Sequence, residues 1–370
     1  RNPFVIFGKS GSYTVTLAVK DGNNKTSSKT ISNMVTVGNK CNPDTVPGSA
    51  LKCNTKAAYV SIPDLKLTQV DSFTVSAWIM PYGLQNNWAA ILMDDNTQAG
   101  LNFYKSGWKP NLQLGYHWPG GSWSWTSGLS VDSLVWSHVA MVVKPTGITI
   151  YVNGIGSTHA RTLSKTTITS MKIGSYKAWS SRNFYGLIDE VSVWDRALSQ
   201  EEIREIKHLT RTGNQSSTNN LKAYYQFNFA ENSIVMDKVG TNHGNLIGAA
   251  KKVISTVPVG GGTSDRILAN LGSNYLLTNT ATEIQFGTIK PNGEIVVTRI
   301  NQLPDSIPTN NPNARCYWIL NNYGTKNFSS ILNLKLSSAV GPPFRNPQNV
   351  ELLSRSENGH KNNWTSKISK

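Results

Sequence analysis

The chain has 370 residues, enough for two or three domains with sizeable cores. Its net charge is +15, but the 36 Lys and Arg are scattered with no basic run longer than two, which points to a solvated basic surface and no nucleic-acid partner. Three cysteines are too few for a disulfide scaffold, and no apolar run reaches membrane length, so direct membrane insertion is not expected.

Residues 11–37 open with Tyr13, Val15, Leu17 and Val19 in alternation, and a turn at Asp21-Gly22 leads into a second strand. The stretch 38–50, "GNKCNPDTVPGSA", reads as linker. Cys41 and Cys53 are close enough in sequence to clip the entrance of the next domain, a bridge that would add about 3 kcal/mol in the chain-entropy picture. Cys316, in "ARCYWIL", is expected to be a buried strand residue.

Short strands follow, predicted at residues 59–62, 73–80, 89–93, 101–104, 112–116, 135–143 and 148–152, with Asn153-Gly154 as a tight hairpin turn. Such spacing predicts a β-sandwich. Trp78, Trp136 and Trp194 fall on predicted strands and are assigned to packing. Trp88, Trp108, Trp118, Trp123, Trp125 and Trp179 lie instead among Gly, Asn, Ser and Pro. In "YHWPGGSWSW" the run Pro119-Gly120-Gly121 predicts a loop. Trp118, Trp123 and Trp125, helped by Trp108, are therefore expected to form a recognition surface, because clustered exposed aromatics mark binding. The partner expected is a polysaccharide or a cell-surface glycan or protein, with Lys105, Lys109 and Lys177 flanking the rings in sequence.

In "GLIDEVSVWDRALSQEEI" (186–203) the first half has strand periodicity: Ile188, Glu190, Ser192 and Trp194 are predicted on one face, Leu187, Asp189, Val191 and Val193 on the other. Ser199 and Glu202 have capping-box spacing, Leu198 can staple onto Ile203, and Ile203, Ile206 and Leu209 recur at helical spacing. Asp189 among apolar neighbours calls for a partner, and a hard cation is one good candidate.

This stretch resembles the closing signature of the laminin-G-like group of the concanavalin A-like lectin/glucanase superfamily. The motifs "AAYVSIPDLKLTQVDSFTVSAWIMP", "WSHVAMVV", "ITIYVNG" and "MKIGSY" stand upstream of it in the order that group shows. The resemblance implies a jelly roll over 38–262, and His138 in "WSHVA" matches a position in that group's core. The segment "LKAYYQFNFAENSIVMDKVGTNHGNLIGA" resembles one that opens many such domains, yet here it follows the closing signature. Residues 223–229 are therefore expected to add a strand to the preceding sandwich. The resemblance further implies a structural calcium near Asp189 and Asp237, with Asn242 and Asn245 as possible further oxygen donors. Residues 1–37 resemble the last strands of a PKD domain, an immunoglobulin-like sandwich. After a boundary at 257–265, residues 263–370 resemble a β-sandwich module of secreted Bacteroidetes proteins, with Pro291-Asn292-Gly293 expected as a hairpin turn. The whole is thus predicted to be all-β, a tandem of β-sandwiches.

Jelly-roll glucanases carry an E-x-D-x-E-type strand that sets carboxylates along one face. That pattern is absent, as are serine-hydrolase, HExxH and phosphate-loop motifs. The chain begins in mid-pattern and is read as an excerpt of a larger secreted protein. A non-catalytic, multidomain cell-surface adhesin is the leading expectation. A structural repeat of a surface filament and a binding module appended to a glycoside hydrolase are the alternatives.

Overall fold

The structure, a computed structural model, describes residues 11–37, 48–53, 58–63, 65–104, 107, 110–122, 125–176, 180–211, 218–228, 233–305, 316–325, 328–334, 352–355 and 364–367. The chain divides into two compact units, Arg1–Thr45 and Val46–Lys370. The first holds an antiparallel hairpin of Gly11–Lys20 and Thr26–Val37. Asp21 organises its turn by accepting from the backbone N–H of Asn23 and Lys25, both at 2.9 Å. Leu17, Val19, Ile31 and Met34 are exposed on this hairpin.

The second unit is dominated by two antiparallel sheets. The first sheet runs, in spatial order, Ile155–Ala160, Gly147–Val152, Ser137–Lys144, Phe73–Pro81, Gly186–Trp194, Ser49–Cys53 and Lys251–Ile254. Leu221–Tyr225 also pairs with Gly186–Trp194, the strand expected to be added from the C-terminal side. The second sheet runs Ile234–Val235, Gly244–Ile247, Tyr59–Ile62, Met171–Ile173, Ala90–Asp94, Gly100–Phe103 and Leu114–His117. Asn153 and Gly154, at φ 50° and 83°, make the tight turn between Gly147–Val152 and Ile155–Ala160.

Alternation supplies the core. On the second sheet Val60, Ile173, Leu92, Leu101 and Tyr116 are cross-strand neighbours and all face inward. From the first sheet Phe73, Val75, Ala77, Ile79, Val139, Met141 and Val143 meet them.

Gly186–Trp194 departs from strict alternation. Ile188, Val191 and Val193 face the inter-sheet core, while Leu187 and Trp194 pack on the opposite side. Pairing with Phe73–Pro81 shifts register between Asp189 and Ser192, and Glu190 stands at φ 53°. A bulge therefore turns the strand over in its middle, which corrects the expected facing of Ile188 and of Val191 with Val193. A left-handed Glu costs about 1–3 kcal/mol, offset here by satisfied burial on both sides.

The helix Gln200–Ile206 begins with the expected capping box: Glu202 N–H donates to Ser199 Oγ (3.2 Å) and Ser199 N–H to Glu202 Oε2 (2.8 Å). Leu198, Ile203 and Ile206 close a second small core against Trp194, Tyr224, Ala140 and Val142 on the first sheet's outer face. Beyond it, Val257 and Val259 cover Trp78, Trp136 and Leu187. The three strand tryptophans are thus buried as expected, but outside the inter-sheet core.

Among the described residues, those from Gly262 to Leu334 form two three-stranded sheets, and Leu352–Ser354 pairs with Thr365–Lys367. One comprises Gly262–Leu268, Glu294–Ile300 and Tyr317–Asn322; the other comprises Asn274–Leu277, Thr282–Phe286 and Ser330–Leu334. They share a core of Leu277, Ile284, Phe286, Ile295 and Val297. Thr282–Phe286 and Glu294–Ile300 lie in different sheets, so Pro291-Asn292-Gly293 is a crossover and not the expected hairpin turn. This part docks on the capped helix. Arg204 lies 3.4 Å from Glu294 and over the Tyr323 ring at 3.9 Å, Arg266 bonds Glu205 at 3.1 Å, and Lys207 Nζ donates to Asn321 at 2.9 Å.

Candidate functional site

Of the four expected recognition tryptophans, Trp108 and Trp123 lie outside the described residues. Trp118 is fully buried, 5.9 Å from Phe73 between ring centroids, and its indole N–H donates to Ser164 O at 3.0 Å. It corrects the loop reading. Pro119-Gly120-Gly121 does turn, with Gly121 N–H donating to Trp118 O at 2.8 Å and Gly120 at φ 77°. The ring itself continues the inward parity of Leu114 and Tyr116. Trp125 is half-buried and closes the edge of the sandwich, stacked on His159 (5.0 Å, 6°) and tilted against Tyr116 (5.6 Å).

The calcium pair fares no better as a cation site. Asp189 is fully buried, with Oδ1 accepting from the Glu190 N–H (2.8 Å) and Oδ2 from Ser255 Oγ (2.6 Å). Burial, with Glu190 beside it, pushes its pKa well above the usual carboxylate range and favours the neutral acid. Asp237 accepts from the N–H groups of Tyr224 (3.0 Å), Val239 (3.0 Å) and Asn242 (3.2 Å) and so shapes its own turn. These oxygens are already engaged by N–H and O–H donors, so as arranged here the two residues do not fit a calcium ion. Among the described residues no group of three or more His, Cys, Asp and Glu side chains could hold a metal.

Glu190 lies inside as well, accepting from the Tyr224 hydroxyl and from Gln226 Nε2. Neither carboxyl is presented to a groove. Cys53 is a free, buried thiol whose pKa burial pushes up to about 12. Among the described residues Cys53 has no disulfide partner; Cys41, its expected partner, lies outside the described residues.

What the fold does assemble lies on the outer face of the second sheet. Two cross-strand rows point outward there. One is Ser61, Lys172, Met93, Gly100 and His117; the other is Ala90, Asn102 and Gly115. The second row carries only short side chains and is buried, with Ala90 at 0% and Asn102 at 2% exposure. A Cβ at Gly100 would come within 2.1 Å of Leu92 O, so a side chain is excluded there. Tyr176 lies on this face against Ala90 and Met93. The Arg182 guanidinium stands over the Tyr176 ring at 5.2 Å and over the Trp88 ring at 4.8 Å. Trp88 is half-buried at φ 57°, a conformation rare for a bulky residue.

Local bonds hold this end in place. Asn87 Nδ2 donates to Gly107 O (2.7 Å) and Ser175 Oγ to Asn183 Oδ1 (2.6 Å), while Asn183 Nδ2 has no partner among the described residues. Farther along, Lys172 pairs with Asp95 at 2.7 Å and lies 4.9 Å from the Tyr59 ring centroid. Burial lowers the Arg182 pKa, and the neighbouring Tyr176 partly counters that. Tyr176 is itself buried, so the half-buried Trp88 ring and Arg182 guanidinium are the groups that can stack on a ring-shaped polar ligand and bond its substituents. Trp88 was visible in the sequence as a loop tryptophan; Tyr176 and Arg182 carried no such signal.

Residues 54–204 match the Laminin_G_3 family, described as the concanavalin A-like lectin/glucanases superfamily. The central domain is concanavalin A-like. No curated protein matches the chain. Solved structures similar to it include a protein from Bacteroides ovatus described as carbohydrate-binding, at 18% identity and TM-score 0.44 over 68% of this chain and 71% of that one. Domain 4 of the GH43 extracellular arabinanase AbnA from Geobacillus stearothermophilus, in complex with arabinotriose, is 20% identical with TM-score 0.32 over 42% of this chain and 86% of its own. A SAP-like pentraxin from Limulus polyphemus is 16% identical with TM-score 0.37 over 54% and 95%. The concanavalin A-like fold hosts both binders and enzymes, so the chemistry of the site decides between them.

Proposed function

We propose that the concanavalin A-like domain is a non-catalytic glycan-binding module of a multidomain cell-surface adhesin, and that its site is the outer face of the second sheet. The observation that carries this is the meeting of the half-buried Trp88 and Arg182 at one end of that face, with the buried Tyr176 against Arg182. Aromatic faces match the C–H faces of sugars, and amide and guanidinium donors match their hydroxyls. The carboxyls that could have served as acid and nucleophile, Asp189 and Glu190, are instead internal structural groups. Secretion to the cell surface is part of the same proposal; among the described residues no helix is long and apolar enough to cross a membrane.

The test is a glycan array probed with the whole chain and with Trp88→Ala. Specific glycan signals that the variant loses, at a stability within about 1 kcal/mol of wild type, are the expected result. An array without signals, or signals indifferent to Trp88, would remove this face as the binding site.

A further inference from the structure

We infer that Lys207 and Asn321 condense into an intramolecular amide bond, which joins the end of the capped helix to the C-terminal sheets. Lys207 is the residue that follows Gln200–Ile206, and Asn321 stands on Tyr317–Asn322. Lys207 Nζ donates to Asn321 Oδ1 at 2.9 Å, across a sequence separation of 114. The carbonyl carbon is one C=O bond, about 1.2 Å, from that oxygen. A shift of under about 1 Å therefore brings amine and carbon to the near-attack distance of about 3–3.5 Å. Lys207 is 2% exposed, and Asn321 Nδ2 is buried without a hydrogen-bond partner among the described residues. Water, the competing nucleophile, is kept away, and the nitrogen that must leave is not held.

A protonated lysine has no lone pair to offer. Here burial, and then Arg204, lower the Lys207 pKa to about 7, so much of the amine is free just above neutral pH. Its other neighbours do not restore the charge. The Tyr323 ring lies 5.3 Å away, Asn153 O accepts at 3.3 Å, and Glu294 is engaged by Arg204 (3.4 Å) and Arg266 (3.3 Å). His208 adjoins the Asn321 amide, and burial, with Lys207 beside it, keeps its ring neutral. Its Nδ1 donates to Pro258 O at 2.8 Å, which leaves the lone pair on Nε2, a buried atom without a partner among the described residues. The Nζ lone pair attacks Asn321 Cγ and forms the new C–N bond. One Nζ proton passes to His208 Nε2 and on to Nδ2, the C–Nδ2 bond breaks, and ammonia leaves. The other Nζ proton stays on the new amide, and no further reactant enters. No carboxylic acid polarises the carbonyl, so the reaction is slow, and Lys207 remains a titrating amine until the bond forms.

The experiment is intact-mass measurement of the denatured whole chain, freshly prepared and after days at about pH 8 or about pH 5. At the higher pH wild type should become lighter by one ammonia. At the lower pH the amine is protonated, and the change should be roughly a hundredfold slower. Tryptic digestion of the lighter wild type should yield one peptide in which the segments around Lys207 and Asn321 are joined. Lys207→Arg and Asn321→Ala should keep their full mass, and His208→Gln should slow the change by about a hundredfold. An unchanged mass at the higher pH, or peptides that carry the two residues unlinked, would overturn the bond. Loss of ammonia that persists in Lys207→Arg would belong to a cyclic imide at an Asn-Gly pair such as Asn153-Gly154 or Asn292-Gly293, and would overturn it as well. An unaltered rate in His208→Gln would overturn the proton relay. The joined peptide is sought in wild type, so the test holds even where a variant folds poorly.

Discussion

The two sheets of the sandwich share one core but have opposite outer faces. On the first, the outward positions are large and apolar, Trp78, Leu187 and Trp194, and the chain covers them with its own helix and with Val257 and Val259. On the second, the outward rows read Ser61, Lys172, Met93, Gly100, His117 and Ala90, Asn102, Gly115, with Trp88, Tyr176 and Arg182 gathered at one end. An indole on an outward strand position demands a cover, whereas an indole at a loop rim beside small residues can serve a ligand. Where a tryptophan sits on the sheet therefore decides what it does.

The sharpest way to break this contrast is to remove a covered ring. Trp78 is fully buried, donates its indole N–H to Lys207 O at 2.7 Å and packs against His138 and His208. Trp78→Ala should cost about 3–5 kcal/mol in urea unfolding, the range for large aromatics in cores. A loss under about 1 kcal/mol would mean that the cover on this sheet is loose.

Lys207 tests the same cover through pH. It is buried beneath the C-terminal sheets, where Nζ meets Asn321 (2.9 Å) and Asn153 O (3.3 Å), with Arg204, His208 and Tyr323 alongside. Burial, and then Arg204, lower its pKa to about 7. An unfolded lysine titrates near 10.4, so between these values the unfolded chain holds a proton that the folded chain has released. Stability should therefore rise with pH across this window, by at most about 1.4 kcal/mol per unit, and level off below it. Lys207→Met should flatten that rise. Parallel slopes for wild type and variant between pH 7 and about 10 would show that the group is solvated.

Much of the covered face was legible in the sequence, because its logic is local. Ser199 and Glu202 announce the helix start, and Asn153-Gly154 the hairpin. The errors came where a long-range contact outweighs a local pattern. Trp118 precedes Pro-Gly-Gly and so reads as loop, but its parity with Leu114 and Tyr116 sends it inward. At Glu190 a bulge reverses the strand, a change that the spacing of Ile188 and Val191, both apolar and three apart, could have revealed. The ligand face was the least legible part. Trp88 lies far in sequence from Tyr176 and Arg182, and the pairing of Met171–Ile173 with Ala90–Asp94 brings their ends together.

A smaller effect is expected at the helix cap. Ser199→Ala removes the acceptor for Glu202 N–H and should cost about 1 kcal/mol. Because the helix packs on the first sheet's outer face and not on the second sheet, glycan-array signals should be untouched. A variant that loses those signals along with stability would show that the two faces are coupled.

The smallest change in stability should come from Trp88, and it divides the two faces most cleanly. Its ring is half-buried and stands against Arg182, a contact worth about 0.5–1 kcal/mol at a partly exposed site. Its backbone sits at φ 57°, which glycine adopts without strain and an L-residue does not. Trp88→Ala should then lose about the value of the ring contact, while Trp88→Gly regains about 0.5–1 kcal/mol through relief of the backbone and ends near wild type. Both variants should lose the glycan-array signals equally, since both lose the ring. Unfolding curves measured beside the array check the pair. If instead both cost as much as Trp78→Ala, Trp88 would be a packing residue, and the second sheet would be covered like the first.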